Sequence, residues 1–156
     1  MNWLDLLFSF STMGIVIGMW IHWMIWAIMF LPPKVITVKK LHMGGLGLAL
    51  PGIVLIKKGQ PISTLYHEQT HTMQMRRYSP TGVALYLGWH YGTGLAWQKI
   101  TDRQTNFWAL WECNPLEIEA NQRMHDRTTP LCIEPIAIVN FSMCTTCLIG
   151  GTLWVI

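Results

Sequence analysis

Two long apolar stretches bracket the chain. From Met13 to Leu31 nineteen residues pass without a charge, and from Ile136 to Ile156 a further twenty-one do. Eight of the first nineteen are Ile, Leu, Val or Phe, worth about −2.4 to −4.8 kcal/mol on an insertion scale, with His22 offsetting part of that. As a helix this run reaches about 29 Å, close to the roughly 30 Å of bilayer hydrocarbon, and Pro32-Pro33 ends it. The second run carries Asn140, Ser142, Thr145, Thr146 and Gly150-Gly151 yet keeps a spanning length. The pattern predicts an apolar anchor helix in residues 1–33 and an apolar segment in 131–156, both read as transmembrane. Burial of these runs against protein, as in a virus particle, is the competing reading. A signal peptide fits the first run poorly, because its amino end carries Asp5 instead of a basic cluster and no small-residue cleavage site precedes the prolines.

Between the ends, residues 34–130 read as one small domain. Val35 to Lys40 and Gly52 to Lys58 have strand-like patterns, with Gly44-Gly45-Leu46-Gly47 and Pro51-Gly52 as turns. The three glycines have no helix-opening Lys-Ser/Thr after them, so they are a turn or flap and not a phosphate loop. Ser63 to Tyr78 has no Pro or Gly, follows Pro61 and ends in Arg76-Arg77, which predicts a helix over about 63–78 with Ser63 or Thr64 as N-cap. Leu65, Tyr66, Met73 and Met75 are its apolar contacts. Thr81 to Trp97 is apolar with four glycines, a broken helix lying on a membrane surface or covering a site. The fold class is α+β, a short sheet and a polar helix flanked by apolar helices.

On that polar helix stands His67-Glu68-Gln69-Thr70-His71. Helical spacing puts the two imidazoles one turn apart on one face with a carboxylate beside them, the geometry of a catalytic zinc site. With six His in 156 residues, such a string arises by chance in only about one chain in a hundred. An open zinc site needs a third protein ligand. If Asn114 to Asn121 is helical after Pro115, Glu117 and Asn121 share a face and Glu119 points elsewhere, so Glu117 is the expected ligand, Glu119 the alternative that a bend would require, and Asn121 a partner to a ligand. His67, His71 and Glu117 would leave Zn2+ with residual positive charge, activating water and polarising a carbonyl, with Glu68 as general base. Tyr78, Tyr86, His90, Tyr91 and Arg77 are candidates for the oxyanion donor.

The motif followed by Glu117-Ile118-Glu119-Ala120-Asn121 resembles the gluzincin class of zinc metallopeptidases. The longer phrase through Gln74, Tyr78-Ser79-Pro80 and Leu85-Tyr86-Leu87 is also similar to small membrane-associated zincin-like proteins of uncharacterised function. The resemblance covers about 52–125 and implies a minimal zincin-like domain that hydrolyses amide bonds. Ser79 stands where those proteins have Gly, and Asn121 where many gluzincins carry Asp, which weakens the charge behind the ligands. The expected partner is a peptide or protein substrate, or a cell-wall peptide for a phage or bacterial lytic component. A structural or assembly protein with a non-catalytic zinc site is the contrasting class.

Composition sharpens the setting. A hydrophobic content of 51%, only 12% charge, nine Trp and ten Met are unusual for a soluble domain. The net charge of +3 is dispersed, so nucleic-acid binding is not expected. Asp5 before the first apolar run and Lys34, Lys39 and Lys40 after it orient the central domain to the cytoplasmic side. Gln69, Thr70, Thr72, Gln74, Arg76 and Arg77 make the motif helix too polar for lipid, which argues against a site inside the bilayer. Cys144 and Cys147, in a lone CxxC, read as packed thiols, and spacing permits a Cys113–Cys132 disulfide.

Overall fold

The computed structural model describes residues 3–41, 45–101, 106–125 and 134–155. The fold is α+β and mostly helical, with a small sheet near the middle of the chain and an apolar helix at each end. In chain order the elements are α1 (Trp3–Ile28), β1 (Lys34–Val38), β2 (Gly47–Leu50), β3 (Ile53–Lys57), α2 (Ile62–Tyr78), α3 (Pro80–Ile100), α4 (Phe107–Glu112), α5 (Pro115–Arg123) and α6 (Pro135–Val155).

The three strands lie in the order β1-β3-β2, with β1 parallel and β2 antiparallel to β3. Val54 and Ile56 of β3 are buried, the alternation expected of a strand with one covered face. Pro51 and Gly52, with Gly52 at φ 72°, turn the chain from β2 to β3 in the Pro-Gly order of a type II turn. β2 corrects the sequence reading, in which Gly47 belonged to a turn. Leu48, Ala49 and Leu50 have little strand preference of their own, and pairing with Leu55, Val54 and Ile53 imposes the extended form.

α2 is central, packing against β2, β3, α3, α5 and α6. It is also polar and buried, a combination that costs free energy unless each group finds a partner. Thr70 and Thr72 satisfy their hydroxyls on the carbonyls of Tyr66 and Glu68, one turn back. The Arg76 guanidinium donates to the carbonyls of Met29 and Leu31 just past α1, while Trp26 Nε1 donates to Arg76 O at 2.9 Å. Asn140 Nδ2 of α6 donates to Arg77 O at 2.7 Å. The open carbonyls at the ends of α1 and α2 are thereby closed by side chains from neighbouring elements. The start of α2 departs from expectation. Its N-cap is Pro61, without a side-chain cap, because the helix begins one residue earlier, at Ile62, and leaves Ser63 and Thr64 within its first turn.

α1 and α6 run antiparallel. Trp20 and Trp23 donate to Thr152 and Thr145 at 3.2 and 2.8 Å, and Trp23, Trp26 and Phe30 surround Phe141. Phe10–Ile28 and Pro135–Leu153 are long and apolar enough to cross a membrane, and only 6% and 11% of these stretches is buried. A helix from a soluble core would be mostly buried instead. Cys113 and Cys147 are exposed and Cys144 half-buried, all with free thiols. Cys132, the other half of the disulfide allowed by spacing, lies outside the described residues.

Candidate metal centre

The motif residues gather where α2 faces β2, α3 and α5. α5 is placed by Asn114, its N-cap, whose Oδ1 accepts from Leu116 N at 3.0 Å and whose Nδ2 donates to Tyr91 OH at 3.2 Å. Pro115 at the first helical position then sets the helix direction. The buried row of α5 runs Asn114, Glu117, Ala120 at three-residue spacing, so Glu117 points into the fold against α2.

There the donor atoms converge. His67 Nε2 and His71 Nε2 lie 3.1 Å apart, and each is 3.3 Å from a different oxygen of Glu117. Four tetrahedral bonds of zinc length separate any two donor atoms by roughly 3.3–3.6 Å; the two imidazole–carboxylate separations match this, and the imidazole pair at 3.1 Å is a few tenths of an ångström closer than one tetrahedral ion sets it. His67, His71 and Glu117 form the one group among the described residues that could hold a metal ion.

The hydrogen bonds behind the trio decide the tautomer. Gln74 Nε2 faces two oxygens that can only accept, Leu116 O at 2.9 Å and Glu119 Oε2 at 3.0 Å, so the amide nitrogen belongs on that side. Gln74 Oε1 then faces His71 Nδ1 at 2.8 Å and requires a proton there. In the neutral ring Nε2 is left bare, aimed at His67 and Glu117.

The charges agree. Burial pushes the Glu117 carboxyl up, but hydrogen bonds from His67 and His71 and their charges prevail and hold it at about 2. Burial pulls the His71 imidazolium down, and the Glu117 contact, with Gln74 and Glu68, lifts it above its usual value. The site favours positive charge.

Glu68 stands beside the trio, buried and accepting from the Ala49 backbone. Burial raises its carboxyl above the ordinary range against the pull of His71 and His67, with Glu117 adding to the rise. Gly47 makes room for it: a Cβ at that position would lie 2.5 Å from Glu68 Cγ and 2.7 Å from Oε1. The trio and Glu68 open into a cleft of about 390 Å³, walled by β2 from Gly47 to Leu50, by Val83, Ala84 and Leu87 of α3, and by Trp111 and Leu116.

The remaining candidates are elsewhere. Glu119 turns to Gln74, Arg77 and Arg123. Asn121 is exposed, because the three-residue drift of the buried row carries that position off the inner face; Gln74 occupies the place behind His71 expected of it. Tyr78 is exposed against Arg77, Tyr86 stacks on His90, and His90 Nε2 donates to Leu110 O at 3.0 Å. None of these five lines the cleft, and neither do Tyr91 and Arg77. Gln74 and Asn114 went unread as supports. For Gln74 the signal was its place three residues beyond His71 on one helix face; for Asn114 it was the Asn-Pro pair that opens a helix. Comparison with protein-family models, with curated proteins and with solved structures finds no match for this chain.

Proposed function

We propose that this chain is a membrane-anchored, zinc-dependent hydrolase of amide bonds with a minimal zincin-like domain. The observation that carries the reading is the 3.1–3.3 Å triangle of His67, His71 and Glu117 with Glu68 buried at its side. Two imidazoles and one carboxylate are the donor set of a catalytic zinc site. Zinc held there supplies Lewis acidity, bringing the pKa of water toward about 7 and polarising an amide carbonyl.

The chain's own residues do the rest. Glu68 takes the proton of the attacking water on its carboxylate and passes it to the departing nitrogen; its raised affinity for a proton suits a group that must hold one between the two steps. Gln74 keeps His71 in the tautomer that presents Nε2. β2 is an edge strand along the cleft, so an extended peptide can add to it and bring its backbone across the trio. Leu48, Leu50, Val83 and Leu87 give the cleft apolar walls that exclude water from the reacting bond. α1 and α6, with few buried residues along their apolar length, anchor the domain in a bilayer.

The test is cleavage of a mixed peptide library by the zinc-loaded full chain in lipid vesicles, read as new termini by mass spectrometry. The wild type should generate new termini at least a hundredfold faster than Glu68→Gln at equal zinc content. Equal rates in the two proteins would remove the hydrolase reading.

A further inference from the structure

We infer that α3 and α4 form a third membrane contact, an interfacial face in which Leu85, Trp89, Trp97, Ile100 and Trp108 sit at the headgroup–acyl boundary of a bilayer. The inference rests on the reading of α1 and α6 as anchors.

α3 is amphipathic in the inverse sense. Leu85, Trp89, Ala96 and Ile100 follow helical spacing on one side and are exposed, with Leu85, Trp89 and Ile100 at 70, 73 and 76%. Trp97 and, on α4, Trp108 extend that surface at 64 and 69%. Five of the polar side chains of α3, meanwhile, are occupied within the molecule. Thr81 Oγ1 meets His22 Nδ1, His90 donates to Leu110 O and Tyr91 OH accepts from Asn114. Thr93 Oγ1 bonds back to Trp89 O, and Gln98 Oε1 accepts from Asn106 N. Lys99, one residue from the end of the helix, carries the only charge on α3. A helix in water shows its polar groups outward. One that closes them internally and shows Trp and Leu is built for a medium that cannot hydrogen-bond.

Position selects lipid over a protein partner. The Thr81–His22 bond, 2.9 Å, ties the first turn of α3 to α1 six residues before α1 ends, about 9 Å of helical rise inside the apolar stretch. The outward face of α3 therefore begins beside the exposed apolar surface of α1. Its tryptophans are of the type enriched at membrane–water interfaces, and the Lys99 stem is long enough to carry its ammonium to the headgroups. Because Val83, Ala84 and Leu87 on the inward side wall the metal cleft, this placement sets the cleft at the bilayer surface, and its substrates are peptide segments lying at or just outside a membrane.

Spin labels on cysteines introduced by Trp89→Cys and Ile100→Cys test this, in the full chain with its four native cysteines changed to alanine. The proteins are reconstituted in phosphatidylcholine–phosphatidylglycerol vesicles. Collision rates with oxygen and with a water-soluble nickel chelate are compared with those of Ile17→Cys on α1 and Lys58→Cys in an exposed turn. Leu85→Cys, on the same face, is the reserve position if either variant loses its helical circular dichroism. The inference expects labels at 89 and 100 to favour oxygen several-fold, as the Ile17 position does. Nickel-favouring labels at 89 and 100 with an oxygen-favouring label at 17 would overturn the inference and leave the anchors standing. Nickel preference at all of these positions would overturn both. Labels at 89 and 100 shielded from both colliders would also overturn it, showing that protein covers the face.

Discussion

Gln74 Oε1 and His71 Nδ1 lie 2.8 Å apart, and that contact determines which nitrogen of His71 is bare. The amide cannot turn over, because its other end is fixed by Leu116 O and Glu119. Gln74→Leu should therefore weaken zinc binding by about 10–100-fold while leaving the helical circular dichroism intact. Competition with a chromophoric chelator measures it; unchanged affinity would show that the ring is held by other means.

Gly47 and Glu68 make a similar pair across the cleft. Gly47→Ala places a methyl group within 2.5 Å of Glu68 Cγ and pushes the carboxylate from its place beside the trio. Zinc content should be unchanged and turnover reduced by about a hundredfold, the usual consequence of a displacement near 1 Å. Loss of zinc together with activity would mean that the strand, and not Glu68, had moved.

Proton and metal compete for His71. The metal-free fold raises the His71 pKa above 6.5 and lowers Glu117 from 4.5 to about 2. The raised His71 stabilises the metal-free fold fully below pH 6.5, and this contribution is lost as pH climbs through the folded value. The Glu117 contribution is present above 4.5 and lost only as pH falls through about 2. Zinc requires His71 without its Nε2 proton, so its affinity should keep rising with pH beyond 6.5 and level off above the folded pKa, with Glu117 contributing no dependence in that range. Chelator competition in steps from about pH 6 to 9 measures this. A plateau already at 6.5 would contradict the charge coupling.

Arg76 joins α2 to the end of α1. Arg76→Ala leaves the buried Met29 carbonyl without its donor, at roughly 1–3 kcal/mol, and removes the partner of the part-buried Leu31 carbonyl as well. Lysine should rescue little, since a point charge cannot serve both carbonyls as the guanidinium fork does. Thermal unfolding in lipid vesicles should show a lower midpoint for both variants, and a lysine variant equal to wild type would count against the fork.

Most of the site's skeleton was legible because it is periodic. Uninterrupted helix formers after Pro61 predict α2, its spacing turns His67 and His71 to one side, and a helix after Pro115 turns Glu117 away from Glu119, although the same spacing wrongly set Asn121 beside Glu117 on the inner face. The apolar ends were legible from length alone. What escaped depended on neighbours. β2 is extended because β3 pairs with it, and Gly47 is glycine because Glu68 lies against it, neither of which appears in the order of residues. α3 runs unbroken through Gly82, Gly88, Gly92 and Gly94, where a broken helix was expected; the glycine penalty of about 1 kcal/mol each is met by its packing on α2 and α4. Gln74 stands at helical spacing from His71, but nothing in the order of residues brings Leu116 and Glu119 beside it to fix its amide.

The most direct test of the central claim is the zinc content of the purified chain by elemental mass spectrometry, in wild type, Glu117→Ala and Glu68→Gln. The account predicts about one zinc per chain in wild type, its loss in Glu117→Ala and its retention in Glu68→Gln. A wild-type chain that stays metal-free after incubation with zinc, or a Glu117→Ala variant that binds it equally well, would contradict the assignment of His67, His71 and Glu117 as a metal centre.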